Sequence, residues 1–250
     1  MELKIKSIRT KYKGIVFQIH YCPEIKIKKA IVFAYGLPGR PLNNGDIVVR
    51  NFIENNFVVV CPQYAGTYDS DGDFNLNNSI ESINTAIDLI KAKKIDYSED
   101  NFPDYNIDEI VLCGGSFGAS MVLMCASMRK DINKMISIAL PLNWTKKEIK
   151  EHLDYIEKLW KYTHRIKEKN MNTFLQMDLR KIINNLENKK LFLIHGKNDK
   201  TVDAGNSIFI YDALVKKQTD NVILLTEDEH MGCGILSNKN IFEKVIKWVI

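Results

Sequence analysis

The chain turns on Val111-Leu-Cys-Gly-Gly-Ser-Phe-Gly-Ala-Ser120. A short apolar run ends at Gly114-Gly115-Ser116-Phe117-Gly118, and a second apolar run continues to Met128. This is G-x-S-x-G set between a strand-like and a helix-like segment, the spacing of a nucleophile elbow. A serine on so sharp a turn sits in strained backbone geometry. Its neighbours two positions away come too close for a Cβ, which is the room Gly114 and Gly118 supply. The turn lifts the Ser116 hydroxyl to the start of a helix, whose free N–H groups favour a developing negative charge. A phosphate-cradling loop would need Lys-Ser/Thr after the glycines, and a dinucleotide fingerprint would need G-x-G-x-x-G. Neither is present.

The elbow reading requires an acid and then a histidine, each on a loop after a later strand. Residues 191–196 form an apolar run followed by Lys197-Asn-Asp199, and Val222-Ile-Leu-Leu225 is followed by Glu227-Asp-Glu-His230. Asp199 and His230 therefore lie 83 and then 31 residues further on, room for strands and a helix between them. Asp203 is the rival acid, read as the opener of the next helix. His195, at a strand end, reads as a packed or turn histidine. His152 and His164 read as exposed, and His20 as lying on an outer strand. The run Glu227 to Glu229 reads as solvated. Backbone N–H groups of Phe117, after the serine, and of Leu37, in Tyr35-Gly-Leu-Pro-Gly39, are the candidate oxyanion donors, because a tetrahedral intermediate needs fixed donors and Pro38 has none.

Outward from the elbow, residues 30–34, 57–61, 135–140, 191–196 and 222–225 are continuous apolar runs, as strands buried on both faces should be. Helical patterns over 47–53, 80–90, 207–214 and 241–250 alternate with them, and residues 4–34 read as β-structure. The expected fold class is α/β, a mostly parallel central sheet with helices on both faces. Residues 96–105 read as a loop. Residues 143–190 break the alternation. Thr145 and Glu148 form a capping box, Ile149, Leu153, Ile156 and Trp160 share one face, and a second helical stretch is expected from Met171 to Leu186. With twelve basic against seven acidic residues, this stretch reads as a small helical cap inserted into a core made of residues 1–142 and 191–250. Tyr35, Tyr64, Trp144 and Trp160 are candidate substrate-binding residues, with Tyr155 and Phe174 beside them on the cap.

A net charge of +4 from 35 basic and 31 acidic residues is too even to indicate nucleic acid as a partner. Residues 110–128 carry no charge, yet the glycines in their middle argue for a buried strand and helix rather than a membrane span. The first fourteen residues alternate Lys and Arg with short apolar pieces, which is not a signal-peptide pattern. Five cysteines without C-x-x-C suggest neither a disulfide framework nor a zinc site. A cytoplasmic location is expected.

With these residues in place, the chain resembles the α/β-hydrolase superfamily. Tyr35-Gly-Leu-Pro-Gly39, Gly114-Gly-Ser-Phe-Gly118, His195-Gly-x-x-Asp199 and His230 carry the resemblance, in the superfamily's order, over nearly the whole chain from about Lys29. Within it, Gly-Gly-Ser-Phe-Gly and the Tyr64-Ala-Gly-Thr-Tyr-Asp-Ser-Asp-Gly72 loop are similar to prolyl-oligopeptidase-type peptidases and dienelactone-hydrolase-like esterases. Tyr35 stands where the common pattern has histidine. The resemblance implies a serine hydrolase of a carboxylic ester or related acyl bond, with Ser116, Asp199 and His230 catalytic and no metal or organic cofactor. A serine peptidase acting on short peptides is the alternative, and a non-catalytic ligand-binding protein a third. The partner expected is a small acyl substrate or a short peptide, and a homo-oligomer is left open.

Overall fold

The protein is described by a computed structural model covering residues 3–93, 105–215 and 220–250. Strands β1 (Lys6–Tyr12) and β2 (Ile15–Tyr21) form a hairpin closed by Lys13 and Gly14, both at positive φ, the pair of left-handed residues that a two-residue hairpin turn requires. β2 runs antiparallel to β4 (Phe57–Pro62). The remaining strands, β3 (Lys29–Ala34), β5 (Glu109–Gly115), β6 (Lys134–Ile138), β7 (Lys190–Gly196) and β8 (Val222–Thr226), all pair in parallel. The sheet order is β1-β2-β4-β3-β5-β6-β7-β8. Residues 25–27, expected as strand, connect β2 to β3 instead; Ile25 donates back to Cys22 in a turn.

Alternation along the buried strands splits the core in two. Ile110 and Leu112 of β5 face one apolar layer, and Val111 and Cys113 face the other. The first layer is covered by α2 (Leu76–Lys91), α3 (Phe117–Met128) and α6 (Gly205–Val215), the second by α1 (Ile47–Glu54) and α7 (Lys239–Val249). The uncharged run 110–128 is thus β5 followed by α3, and no described helix is long and apolar enough to cross a membrane. All five cysteines are free thiols, four of them buried. Because β4 and β5 lie on opposite sides of β3, the chain reverses direction across the sheet there. The crevice outside the carboxyl ends of β3 and β5 is where such sheets place ligands.

Residues 143–189 lie between β6 and β7, and Lys190, expected to end this segment, opens β7. Helix α4 (Lys146–Leu159) opens with the capping box expected at Thr145 and Glu148. The second stretch is not one helix. It is a single turn, α5 (Glu168–Met171), and two 3₁₀ runs, Asn172–Gln176 and Leu179–Leu186. The break has a cause: Asp178 pairs with Asn143 in an isolated β-bridge, and Leu179 N–H donates to Leu142 O, so the backbone at 177–178 is extended. Phe174 docks this segment, its ring 5.3 Å from Phe117 and 5.4 Å from Phe74. The loop expected over residues 96–105 lies almost wholly outside the described residues.

Candidate active site

Ser116 sits between β5 and α3 with φ 52° and ψ −121°, a conformation that costs energy for any side chain with a Cβ. The glycines around it are needed for contact reasons. A Cβ on Gly114 would stand 2.2 Å from Gly118 O, and one on Gly118 would stand 2.2 Å from Ala34 O. The elbow is pinned from below by Ser116 N–H donating to Ile138 O at 2.8 Å.

Two later loops meet this turn. Asp199 follows β7, and its carboxylate is fully buried. Oδ1 accepts from the N–H groups of Thr201 and Val202, both at 2.8 Å. Oδ2 accepts from His230 Nδ1 at 2.6 Å, and His230 Nε2 lies 3.1 Å from Ser116 Oγ. Since Nδ1 carries the proton toward a carboxylate, Nε2 is left to accept from the serine hydroxyl. The loop holding His230 can pass over β7 because Gly196 lacks a side chain; a Cβ there would stand 2.2 Å from Asp228 O. Asn198 then stitches the two loops, donating to Asp228 O and to Glu227 O. Segment 232–233 closes down on Gly115 in the same way, with Cys233 Sγ 2.5 Å from where a Cβ would be.

His195 supports the acid rather than competing with His230. It is buried, donates from Nε2 to Val202 O at 2.9 Å, accepts from Ser207 Oγ at Nδ1, and lies 3.5 Å from Asp199 Oδ2. Burial holds its pKa below the ordinary histidine value. Asp203 points away to accept from Gly205 N–H at the start of α6. His20 is buried on β2, between Ser7 and Leu42 O.

The turn after β3 lies against the elbow. A Cβ on Gly36 would be 3.5 Å from Ser116 Cβ. Among the described residues nothing accepts from Leu37 N–H. Phe117 N–H is the first of the helix-opening groups that lack an intrahelical partner. Leu37 and Ser116 line a cleft of about 690 Å³. Phe33, Leu42 and His230 line it as well.

The substrate-binding candidates divide. Tyr35 lines the cleft, but its hydroxyl turns inward, donating to Thr67 Oγ1 and accepting from Tyr64 N–H. Tyr64, Trp144 and Trp160 do not line it. Tyr64 is fully buried, its hydroxyl on Tyr35 O. Trp144 is packed among Phe117, Phe174 and His152, and Trp160 stacks edgewise on His164. From residues 143–190 the cleft takes Glu151, His152 and Tyr155. His152, expected exposed, is half-buried and fixed by Nδ1–H donating to Glu148 O at 2.8 Å. His164 is corrected further: only 2% exposed, it is the pivot between this segment and the core. Burial lowers its pKa to about 4. The apolar stripe of α4 did not point to these cleft residues; 151, 152 and 155 lie on the helix's adjoining polar face.

An eight-stranded, mostly parallel sheet with a strained serine turn at the carboxyl end of β5 and an Asp–His pair after β7 and β8 defines an α/β hydrolase. Solved structures agree at the level of fold. The Pyrococcus furiosus esterase Pf2001 superposes with a TM-score of 0.71 at 16% identity, covering 99% of this chain and 90% of that one. Est1E of Butyrivibrio proteoclasticus, with ferulic acid bound, gives 0.68 at 17% identity and 96% of each chain. The α/β hydrolase GrgF of a Penicillium species gives 0.69 at 13% identity and 98% of each chain. Comparison with curated protein sequences gives no match. The model of the prolyl oligopeptidase family (Peptidase_S9) matches residues 47–249, and the chain belongs to that family.

Proposed function

We propose that the protein is a serine hydrolase that cleaves a carboxylic ester or related acyl bond through an acyl-enzyme. The observation that carries this reading is the unbroken hydrogen-bonded line from Ser116 through His230 to Asp199 at the wall of a largely apolar cleft. Ser116 Oγ attacks the acyl carbon while His230 Nε2 takes its proton, and Asp199 holds the resulting imidazolium by its Nδ1–H. The carbonyl oxygen becomes an oxyanion held by the N–H groups of Leu37 and Phe117. Collapse expels the alcohol, protonated by His230, and leaves an acyl ester on Ser116. Water, deprotonated by the same imidazole, then releases the acid and restores the serine. An esterase among the fold neighbours, and another neighbour with ferulic acid bound, favour an acyl substrate.

A second reading, a peptidase acting on short peptides, is favoured by the family match and by Glu151. This glutamate places on the cleft a carboxylate suited to a peptide ammonium. Fluorophosphonate labelling of wild type and Ser116→Ala tests the common core: label on the wild type that vanishes in the variant is expected. Absence of Ser116-dependent label points instead to a ligand-binding protein on this fold. Turnover of a short-chain p-nitrophenyl ester against an aminoacyl anilide separates the two enzymes. Under the peptidase reading, Glu151→Gln reduces only the anilide reaction.

A further inference from the structure

The turn that carries Leu37 is held from one side by its own tight folding: a Cβ on Gly39 would stand 2.5 Å from Gly36 O. On its other side stands Tyr68. The Tyr68 hydroxyl donates to Gly39 O at 2.8 Å, and its ring meets Tyr35 edge-on at 6.4 Å. Tyr68 itself is in an uncommon state for a bulky residue, with φ 46°. Residues 163–165 hold it there. Tyr68 N–H donates to Thr163 O at 2.5 Å, its carbonyl accepts from Arg165 Nη1 at 2.6 Å, and its ring packs on His164 at 5.4 Å. Arg165 also donates to Ser70 O, and its own N–H to Gly66 O at 2.8 Å. The segment inserted after β6 is therefore tied, through one tyrosine, to the turn beside Ser116.

We infer that Tyr68 is a positioning residue, setting the oxyanion turn through Gly39, and that Arg165 of the inserted segment holds Tyr68 in place to do so. The inference rests on the serine-hydrolase reading, because it concerns the donor geometry at Leu37. Its physical basis is that an oxyanion donor counts only when fixed before the charge arrives. Gly39 O is two residues from Leu37, in a turn with no slack, so releasing it releases the donor. Tyr68 makes its contact with the turn and does not line the cleft, so its removal acts on the transition state rather than on binding.

The test compares Tyr68→Phe, Arg165→Gln and, as a control, Tyr162→Phe at an 89% exposed tyrosine. Readouts are kcat and KM on a p-nitrophenyl ester, and the inhibition constant of an alkyl boronic acid, whose adduct with Ser116 mimics the tetrahedral oxyanion. Tyr68→Phe is expected to lower kcat about tenfold, the worth of one hydrogen bond. KM should stay within twofold, and boronate affinity should weaken by the same factor as kcat. Arg165→Gln should move both quantities the same way, and Tyr162→Phe neither. Fluorophosphonate labelling of each variant keeps the two levels apart. If wild type shows no Ser116-dependent label, the hydrolase reading fails. If it does, and Tyr68→Phe leaves kcat and boronate affinity within twofold of wild type, or the loss falls on KM alone, the positioning role fails while the hydrolase reading stands. Should Tyr68→Phe melt below the assay temperature, Arg165→Gln decides by the same criteria.

Discussion

Adding one methyl group at Gly118 tests the elbow without touching any group that does chemistry. In Gly118→Ala the new Cβ would stand 2.2 Å from Ala34 O, 2.6 Å from Ala34 C and 2.7 Å from Tyr35 O. Carbon and carbonyl oxygen come no closer than about 3.3 Å without strain, so α3 and the end of β3 must part by about 1 Å. β3 is paired on both sides over most of its length, to β4 and β5, so the displacement falls on α3 and on the turn after Ala34. One end of that shift carries Ser116, held 3.1 Å from His230; the other carries Leu37. Misplacement of about 1 Å in a reacting group costs on the order of 100-fold in rate. Overpacking of this kind also removes about 1–3 kcal/mol of stability, or roughly 2–12 °C of Tm in a chain of this size. The assay is kcat on a short-chain ester beside a thermal melt by circular dichroism. Gly234→Ala is the matched control, since a Cβ there meets nothing within 4 Å. A Gly118→Ala protein with kcat within twofold of wild type and an unchanged melt would show that the contact does not hold the site together.

Three further expectations follow from the same geometry. In Asp199→Asn the amide oxygen can keep the two backbone N–H groups, but the NH₂ then faces His230 and forces the proton to Nε2; kcat should fall about 10,000-fold with the fold intact, and a loss under 100-fold would argue against the tautomer role. His164 is buried neutral with a pKa near 4, below its unfolded value of 6.5, so the unfolded chain binds the proton first and stability falls as pH drops from 6.5 toward 4, by at most about 3 kcal/mol. Urea titrations of His164→Phe should show a shallower acid loss over that window, and an unchanged slope refutes the assignment. Thr145→Ala removes the side-chain half of the capping box, leaving the backbone N–H of residue 145 on Glu148, and should cost about 1 kcal/mol by denaturant unfolding, a difference under 0.3 kcal/mol contradicting it.

The sheet was legible because its central strands are buried on both faces and so are written as unbroken apolar runs; residues 30–34 and 57–61 can hardly be anything else. That Ser116, Asp199 and His230 would be brought together was legible for a different reason. The elbow's glycine spacing is a steric requirement, and chain order then leaves few places for the partners. What failed depended on contacts distant in sequence that no motif records. The break at 177–178 is made by Asn143 and Leu142, more than thirty residues away, and no local periodicity records it. Tyr64 and Trp144 are aromatic residues that look suited to a pocket, yet each fills the core instead. A helical wheel says which side of α4 is apolar; it does not say that the cleft faces the polar flank, where Glu151, His152 and Tyr155 stand. His164 looked like a surface histidine because its neighbours Lys161, Tyr162 and Arg165 are polar or exposed, while its own ring is sealed by Tyr68 and Trp160.

The burial gradient along Asp199, His230 and Ser116 has its own logic. Asp199 is sealed, with His195 and two backbone donors behind it, whereas His230 is 25% exposed. The two-step acyl transfer proposed above would need both. The carboxylate must keep one geometry while the imidazole changes charge, and the imidazole must reach first the serine and then a water arriving from the cleft. A fully buried His230 would admit no water for the second step; a solvated Asp199 would let the ring turn. The loops after β7 and β8 give this gradient because Gly196 lets one pass over the other. The elbow, the acid and the histidine therefore depend on backbone contacts within the sheet's rim, and the cleft takes Glu151, His152 and Tyr155 from a different part of the chain, α4. Substitutions at 151, 152 and 155 should alter which substrate is chosen without slowing Ser116-dependent labelling, whereas those at Gly114, Gly118 or Gly196 should slow turnover and labelling together.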